Sequence, residues 1–159
     1  MKPIGQLQGN AKTRIRFVLT DIDDTLTSDG RLPSVVFSAM ERLQAAGILV
    51  IPITGRPAGW CDHIARMWPV DGLVGENGAF YFRYDERRKK MVRRYWKTET
   101  ERAKDREKLE RLKQLILREV AGCAVSADQA YREADLAIDF CEDVPPLPQK
   151  SIDAIVRLF

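Results

Sequence analysis

The chain has few of the residues on which several kinds of protein chemistry depend. Only three cysteines, Cys61, Cys123 and Cys141, occur among its 159 residues, and none of them forms a CxxC pair. This odd, scattered set argues against a disulfide framework and against a structural zinc site. His63 is the only histidine, which excludes mechanisms that need two histidines and metal sites built from several. We expect Cys61 and Cys141 to be small buried side chains, and His63 to be a surface or packing residue.

Long apolar runs are also missing. No stretch approaches the roughly 20 consecutive apolar residues that a membrane helix needs, and the N-terminal segment lacks the continuous apolar stretch of a signal peptide. Hydrophobic residues make up 45% of the chain and charged residues 31%, which is the balance of a soluble globular protein. We therefore expect a cytoplasmic protein without a membrane partner, long enough for one domain or for a domain with a small appended unit.

Charge is distributed unevenly. The formal net charge is +3, yet residues 83–97 alone contain eight basic and two acidic side chains. Because this segment also holds Tyr84, Tyr95 and Trp96, a nucleic-acid surface is one interpretation. We favour the charged tip of a hairpin, since runs of charge usually mark solvated surface. A nucleic-acid partner is not expected, and the sequence does not indicate an oligomeric state.

Apolar runs and helical patterns alternate in the first half of the chain. Strand-like and helix-like segments follow one another in the order 15–20, 33–46, 48–53, 60–68 and 73–74. This alternation predicts a parallel sheet with helices on its faces. The continuous apolar run at 48–53 predicts a strand buried on both faces. Ligands of such sheets bind beyond the carboxyl ends of the strands, and the polar turns at Asp21 and Thr54 lie there.

After Ala79 the pattern changes. Two arms of a hairpin, a long charged helix, a half-buried strand and a final helix are predicted at 80–84, 91–96, 98–121, 136–140 and from 149. We therefore predict two units, residues 1–79 and residues 80–159. The boundary between them depends on the change of pattern alone.

Three carboxylates, those of Asp21, Asp23 and Asp24, follow the first strand within four positions. Carboxylates this close repel one another unless a cation or hydrogen bonds compensate. In extended backbone Asp21 and Asp23 face the same side, so that one could attack a phosphate and the other could transfer a proton. A Mg²⁺ ion would let an anionic carboxylate approach an anionic phosphate. The alternative is an acidic turn held by local side-chain hydrogen bonds.

The end of the second strand favours the phosphate interpretation. Thr54, Gly55 and Arg56 supply a hydroxyl, an unobstructed backbone amide and a guanidinium, all of which suit phosphate. Pro57 then opens a helix, and the N-terminus of a helix favours anions.

The motifs DIDDT, ITGRP and GENGA, each after a successive strand, resemble those of the haloacid dehalogenase superfamily. The resemblance is strongest to its sugar-phosphatase branch, the type IIB-like enzymes whose cap domain is inserted after the second motif. It covers nearly the whole chain. It implies an α/β fold with a Rossmann-like parallel sheet core, incomplete here, and a partial α+β cap domain over residues 80–159. The implied activity is Mg²⁺-dependent hydrolysis of a phosphorylated small molecule, a sugar phosphate above all, through an aspartyl-phosphate intermediate.

The resemblance also implies roles for the two aspartates of the first motif. Asp21 matches the nucleophile that takes the phosphoryl group. Asp23 matches the general acid and base that protonates the leaving alkoxide and later activates water. The side chain of Asp21 and the backbone carbonyl of Asp23 match two Mg²⁺ ligands.

Further roles fall on the second and third motifs. Thr54 matches the hydroxyl that holds the transferring phosphate, with the Gly55 amide beside it and Arg56 as a further phosphate-binding group. Asn77 and Gly78 match a loop near the substrate entrance.

The sequence also departs from the family pattern. The family uses a lysine that neutralises the phosphate and a later acidic motif of the GDxxND type, and no such motif follows residue 79. Lys150 lies within the predicted cap and is not assigned that role. We expect the chain to be the N-terminal part of such an enzyme, a cleavage product or a degenerate protein, and to be nearly inactive by itself. A non-catalytic phosphate-binding or interaction module, and a phosphomutase, are the alternatives.

Overall fold

The computed structural model describes residues 3–6 and 14–159, so that residues 1–2 and 7–13 of the first predicted unit lie outside the described part of the chain. Its elements are, in chain order, a short 3-10 helix (Ile4–Gln6), β1 (Phe17–Thr20), α1 (Ser34–Ala45), β2 (Leu49–Pro52), α2 (Ala58–Met67), β3 (Leu73–Gly75), a 3-10 turn (Glu76–Gly78), β4 (Phe80–Asp85), β5 (Lys90–Tyr95), α3 (Glu99–Glu119), β6 (Ala124–Val125), a 3-10 turn (Gln129–Tyr131), β7 (Ile138–Asp139) and α4 (Gln149–Leu158). The predicted α/β class and strand–helix alternation are confirmed. No helix in the described residues is long and apolar enough to span a membrane.

Parallel pairing joins the first three strands. β1 pairs with β2 in parallel, with Phe17 opposite Leu49. A single parallel bridge between Ile53 and Val74 then connects the end of β2 to β3. Because α1 and α2 connect neighbouring parallel strands in the same direction, right-handed crossovers place both helices on one face of the sheet.

Only that one face of the parallel strands is covered by the described residues. Val50 is 1% exposed on the covered face. On the other face the exposed fractions are 56% for Phe17, 54% for Leu19 and 46% for Leu49. The prediction that residues 48–53 are buried on both faces is therefore wrong for this face, because no described helix packs against it.

An antiparallel hairpin extends the sheet beyond β3. β4 pairs with β3 and with β5, and Phe80 and Phe82 of β4 stack at a ring-centroid distance of 4.2 Å. Both rings belong to the main core, together with Cys61 of α2. Burial raises the pKa of the Cys61 thiol to about 12, which keeps the thiol protonated at neutral pH. The basic segment 83–97 forms most of this hairpin, as predicted.

The predicted boundary at residue 79 falls between β3 and β4, two strands that are hydrogen bonded and share one core. This packing favours grouping the hairpin with the first unit. The division of the chain into two units remains a prediction.

The last third of the chain has a smaller core of its own. Ile116 of α3 and Val120, the residue that follows this helix, pack with Ile155 of α4. The short strands β6 and β7 pair beside this cluster in antiparallel register. Cys141, in the loop after β7, is exposed, so the expectation of burial is wrong for this cysteine.

Candidate functional site

The carboxyl ends of the parallel strands meet at one edge of the sheet. The Ile53 amide donates to the Thr20 carbonyl at 2.7 Å, and the Thr54 amide donates to the Val74 carbonyl at 2.9 Å. Asp21 follows Thr20 directly and is exposed, whereas Thr54 is 3% exposed. The first two predicted motifs therefore begin side by side, as the strand–turn pattern indicates.

A tight turn around Ile22 presents the aspartates of the first motif. Ile22 is 3% exposed within the main core, and its carbonyl accepts the amide of Thr27 at 2.9 Å. The Asp21 carboxylate accepts the Ile22 amide at 2.8 Å, and the Asp24 amide donates to the Thr27 hydroxyl at 3.2 Å. Because Ile22 is anchored in the core, the neighbouring Asp21 and Asp23 remain accessible at the surface.

An ion pair connects the first motif to the second. The Arg56 guanidinium donates to the Asp23 carboxylate through Nη2 at 2.6 Å and through Nε at 3.1 and 3.2 Å. This hydrogen bond raises the pKa of Arg56 against the opposing effect of its burial. The same guanidinium lies 4.6 Å from the ring centre of Trp60. Sequence reasoning missed this pair, in which the predicted phosphate ligand Arg56 contacts the predicted acid–base residue directly.

The loop after β2 places its threonine hydroxyl in a defined orientation. The Arg56 amide donates to Thr54 Oγ1 at 3.0 Å, and the hydroxyl hydrogen has no acceptor among the described residues. A Cβ at Gly55 would lie 3.1 Å from the side-chain oxygen of Asn77. The Asn77 amide also donates to the Thr54 carbonyl at 3.2 Å. The structure thus brings Asn77, followed by Gly78, against the predicted phosphate loop.

Glu76 is a central residue of this region that sequence reasoning missed. It is 3% exposed, and its carboxylate accepts the Ala58 amide at the start of α2 at 2.9 Å. It also accepts the amides of Glu133, Ala134 and Asp135 at distances between 2.6 and 3.2 Å. The only sequence signal near Glu76 is the GENGA motif, and the family resemblance assigns a role there to Asn77 and Gly78 but not to Glu76.

A cleft of about 440 Å³ opens beside the ion pair, between the strand ends and the segment around β6 and β7. Asp23, Gly55 and Arg56 line one side, and Asp128 and Arg132 are among the residues that line the other. Arg132 donates to Asp128 at 3.0 Å and to the Gly55 carbonyl at 3.1 Å. Burial opposes a charged Arg132, but its hydrogen bonds to Asp128 and Asp135 outweigh burial and raise its pKa.

Oxygen ligands for a divalent ion are present at the end of β1. One carboxylate oxygen of Asp21 and the backbone carbonyl of Asp23 accept no hydrogen bond from the described residues. Such oxygens suit Mg²⁺, which keeps several of its waters when it binds protein. Within residues 3–6 and 14–159 no group of three or more His, Cys, Asp or Glu side chains converges on a metal position. The donor chemistry fits Mg²⁺, with two protein ligands from this motif.

Fold and site together define an α/β protein with carboxylates and a threonine hydroxyl at the carboxyl ends of adjacent parallel strands. Residues 18–139 match the haloacid dehalogenase-like hydrolase family (Hydrolase_3), and the chain belongs to this family. No curated protein sequence matches the chain.

Several solved structures are similar to the chain at low sequence identity. A protein of Thermoplasma acidophilum, 0175, superimposes with a TM-score of 0.69 at 14% identity, over 90% of this chain and 56% of that protein. A phosphatase of the haloalkanoate dehalogenase superfamily from Bacteroides thetaiotaomicron gives a TM-score of 0.48 at 20% identity, over 96% and 50% of the two chains. A subclass IIB sugar phosphatase gives 0.45 at 21% identity, over 77% and 43%. The chain therefore spans about half the length of these proteins.

Proposed function

We propose that the protein acts in Mg²⁺-dependent hydrolysis of a phosphomonoester through an aspartyl-phosphate on Asp21. Membership of the hydrolase family supports this proposal. The observation that carries it is the ion pair between Asp23 and Arg56, with Nη2 and Oδ1 2.6 Å apart. This contact joins the turn after β1 to the loop after β2, and so supports a shared site for Asp21 and Thr54.

In the first proposed step the Asp21 carboxylate attacks phosphorus, and the bond between phosphorus and the leaving oxygen breaks. Asp23, protonated from solvent once Arg56 has released it, gives its proton to that oxygen. In the second step Asp23 takes a proton from a water molecule that attacks the same phosphorus, which releases phosphate and regenerates Asp21. The Thr54 hydroxyl donates to a phosphate oxygen in both steps.

Arg56 has two anionic partners in this scheme. In the structure its guanidinium is held by Asp23. A phosphate bound at the loop after β2 competes with Asp23 for the guanidinium, because arginine binds carboxylates and phosphates with the same planar geometry. We infer that substrate binding draws Arg56 toward the phosphate and so releases the Asp23 carboxyl for proton transfer.

The Asp21 side chain and the Asp23 carbonyl would hold the Mg²⁺ ion. When bound, Mg²⁺ supplies positive charge that reduces the repulsion between the carboxylate and the phosphate. For the substrate we propose a phosphorylated small molecule of the sugar-phosphate type, as the motif resemblance implies. The cleft of about 440 Å³ beside Asp23 and Arg56 has the size of a small-molecule site, and Asp21 and Thr54 lie outside its lining.

A phosphate-binding module without turnover is the second candidate. The small number of protein ligands for Mg²⁺ in the described residues favours it, since phosphoryl transfer depends strongly on charge neutralisation. The two candidates share phosphate binding and differ only in the chemical step.

Phosphate release from a panel of sugar phosphates, with Mg²⁺ and with a chelator, separates the candidates. Asp21→Asn should lower turnover by roughly three orders of magnitude or more, while the circular dichroism spectrum and the binding of inorganic phosphate persist. Asp29→Asn, an exposed aspartate in the following turn, is the matched control and should keep full activity. Turnover in Asp21→Asn would disprove the role of Asp21. Phosphate binding without turnover in the wild type would identify the module.

A further inference from the structure

The buried Glu76 carboxylate joins two parts of the chain that are far apart in sequence. One oxygen, Oε1, accepts the amides of Ala58 and Glu133, both at 2.9 Å. The other, Oε2, accepts the amides of Ala134 and Asp135 at 2.6 and 3.1 Å. No lysine or arginine forms an ion pair with Glu76 among the described residues. Backbone N–H groups, including one at the start of α2, therefore compensate its charge.

The segment held by Glu76 carries Arg132, which reaches the phosphate loop. Arg132 Nη1 donates to the Gly55 carbonyl at 3.1 Å. The same peptide group bears the Arg56 N–H, which donates to Thr54 Oγ1 at 3.0 Å. The peptide between Gly55 and Arg56 is thus fixed on both sides, and its orientation determines where the Thr54 hydroxyl points.

The backbone at Glu76 is held in an unfavourable conformation. Glu76 and Asn77 have φ angles of 43° and 56°, in the left-handed region that residues other than glycine rarely adopt. Such conformations persist where surrounding contacts over-determine them, and they occur most often at functional sites. Here the Glu76 amide donates to the Arg56 carbonyl at 3.2 Å, so the main chain and the side chain of one residue hold both neighbouring segments.

We propose that Glu76 is a positioning residue for the candidate phosphate site. Its carboxylate fixes segment 132–135 against the loop after β2, and through Arg132 it sets the orientation of the Gly55–Arg56 peptide and of the Thr54 hydroxyl. This proposal rests on the proposed function for its catalytic consequence, whereas its structural part is independent of any activity.

The test uses Glu76→Gln, which keeps the shape of the side chain but replaces one acceptor oxygen by an NH₂ donor that faces backbone N–H groups. Glu86→Gln is the matched control, because Glu86 is an exposed residue of the hairpin turn whose carboxylate pairs with Lys89. Arg132→Gln is the second variant, since it removes the contact with Gly55 and leaves the Glu76 hydrogen bonds in place. Hydrogen exchange of individual amides and the resonances of the Gly55 and Arg56 amides are measured first.

In Glu76→Gln we expect the amides of 133–135 to exchange at least about tenfold faster than in the wild type. The Gly55 and Arg56 resonances should shift in both Glu76→Gln and Arg132→Gln, and Glu86→Gln should change neither readout. Unchanged exchange at 133–135 in Glu76→Gln would overturn the proposal. Unshifted Gly55 and Arg56 resonances in Glu76→Gln would overturn the positioning role. If Glu76→Gln does not fold, unshifted resonances in Arg132→Gln would overturn it, because Glu76 is proposed to act on this peptide through Arg132.

The catalytic consequence is measured separately. Inorganic phosphate is the binding probe, and the substrate is a sugar phosphate that the wild type hydrolyses. Both variants should lose about 10- to 100-fold in kcat/KM, mostly in kcat, as expected when a catalytic group is misplaced. The double variant should lose no more than the larger single loss, because both residues act on the same peptide. A wild type that neither binds inorganic phosphate nor hydrolyses a sugar phosphate would refute the proposed function. The amide measurements would still decide the structural part of the proposal.

Discussion

Gly75 lies where β3 passes closest to the aromatic core. A Cβ at this position would be 2.3 Å from the Phe80 ring and 2.6 Å from Cys61 Sγ. Because these neighbours are buried and cannot move freely, we expect Gly75→Ala to lower the free energy of unfolding by about 1–3 kcal/mol. Urea denaturation measures the change. Gly5→Ala is the control, since a Cβ there would meet no atom of the described residues within 4 Å. Equal stabilities of the two variants would contradict the clash at Gly75.

For individual residues, the sequence alone locates those that follow local patterns, but it does not reveal contacts between residues that are far apart in the chain. Asp21 and Thr54 could be placed at strand ends because an apolar run and a polar turn are adjacent in sequence. The partners Asp23 and Arg56 are 33 positions apart, and Glu76 is 57 positions from the first amide that it binds in the later segment. Such pairs depend on how the elements pack, which no local pattern contains.

The start of α3 is defined by a reciprocal pair of hydrogen bonds. Thr98 Oγ1 accepts the Glu101 amide at 3.3 Å, and the Glu101 carboxylate accepts the Thr98 amide at 2.8 Å. We expect Thr98→Ala to lower the free energy of unfolding by about 1 kcal/mol, because the first turn loses this cap. Thr100→Ala, two residues further along, is the control and should be neutral or slightly stabilising. A neutral Thr98→Ala in urea denaturation would show that the cap contributes nothing.

The longest helix is predicted well from the sequence, whereas the two-residue strands are not. The helix predicted at 98–121 is observed at Glu99–Glu119, because its apolar stripe and its cap are both readable in the sequence. The strand predicted at 136–140 is reduced to Ile138–Asp139, and its partner Ala124–Val125 was not predicted at all. Two-residue strands exist through their pairing with each other, and a window of sequence does not show that pairing.

At the scale of the whole molecule, one face of the parallel sheet is left uncovered by the described residues, which predicts that neighbouring residues of β2 differ in their contribution to stability. Leu49 is 46% exposed on that face, whereas Val50 is 1% exposed on the face beneath the helices. Leu49→Ser should change the free energy of unfolding by less than about 1 kcal/mol, and Val50→Ser should lower it by at least about 2 kcal/mol. Leu49→Ser should also reduce the binding of an apolar dye, since exposed apolar patches bind such probes. Equal destabilisation by the two variants would show that both faces are covered.

Ion pairs and hydrogen bonds across the molecule make its stability depend on pH. The hydrogen bond from Arg66 lowers the pKa of Asp62, with a further contribution from Arg93 of β5. Backbone amides, that of Glu142 first, lower the pKa of Asp139. In the unfolded chain these aspartates titrate near 3.9. Each group therefore contributes stability that is fully present above its unfolded pKa and is lost as the pH falls through its folded pKa.

We accordingly expect the free energy of unfolding to be nearly constant from pH 7 to about pH 5 and to fall below about pH 4, because the unfolded chain then takes up protons before the folded protein does. Urea denaturation at a series of pH values measures this curve. Asp62→Asn removes one titrating group that links α2 to the hairpin, at 3.0 Å from Arg93. This variant should be less stable than the wild type at pH 7, and the difference should shrink as the pH falls toward 3. A difference that stays constant over this range would mean that Asp62 contributes by packing rather than by its charge.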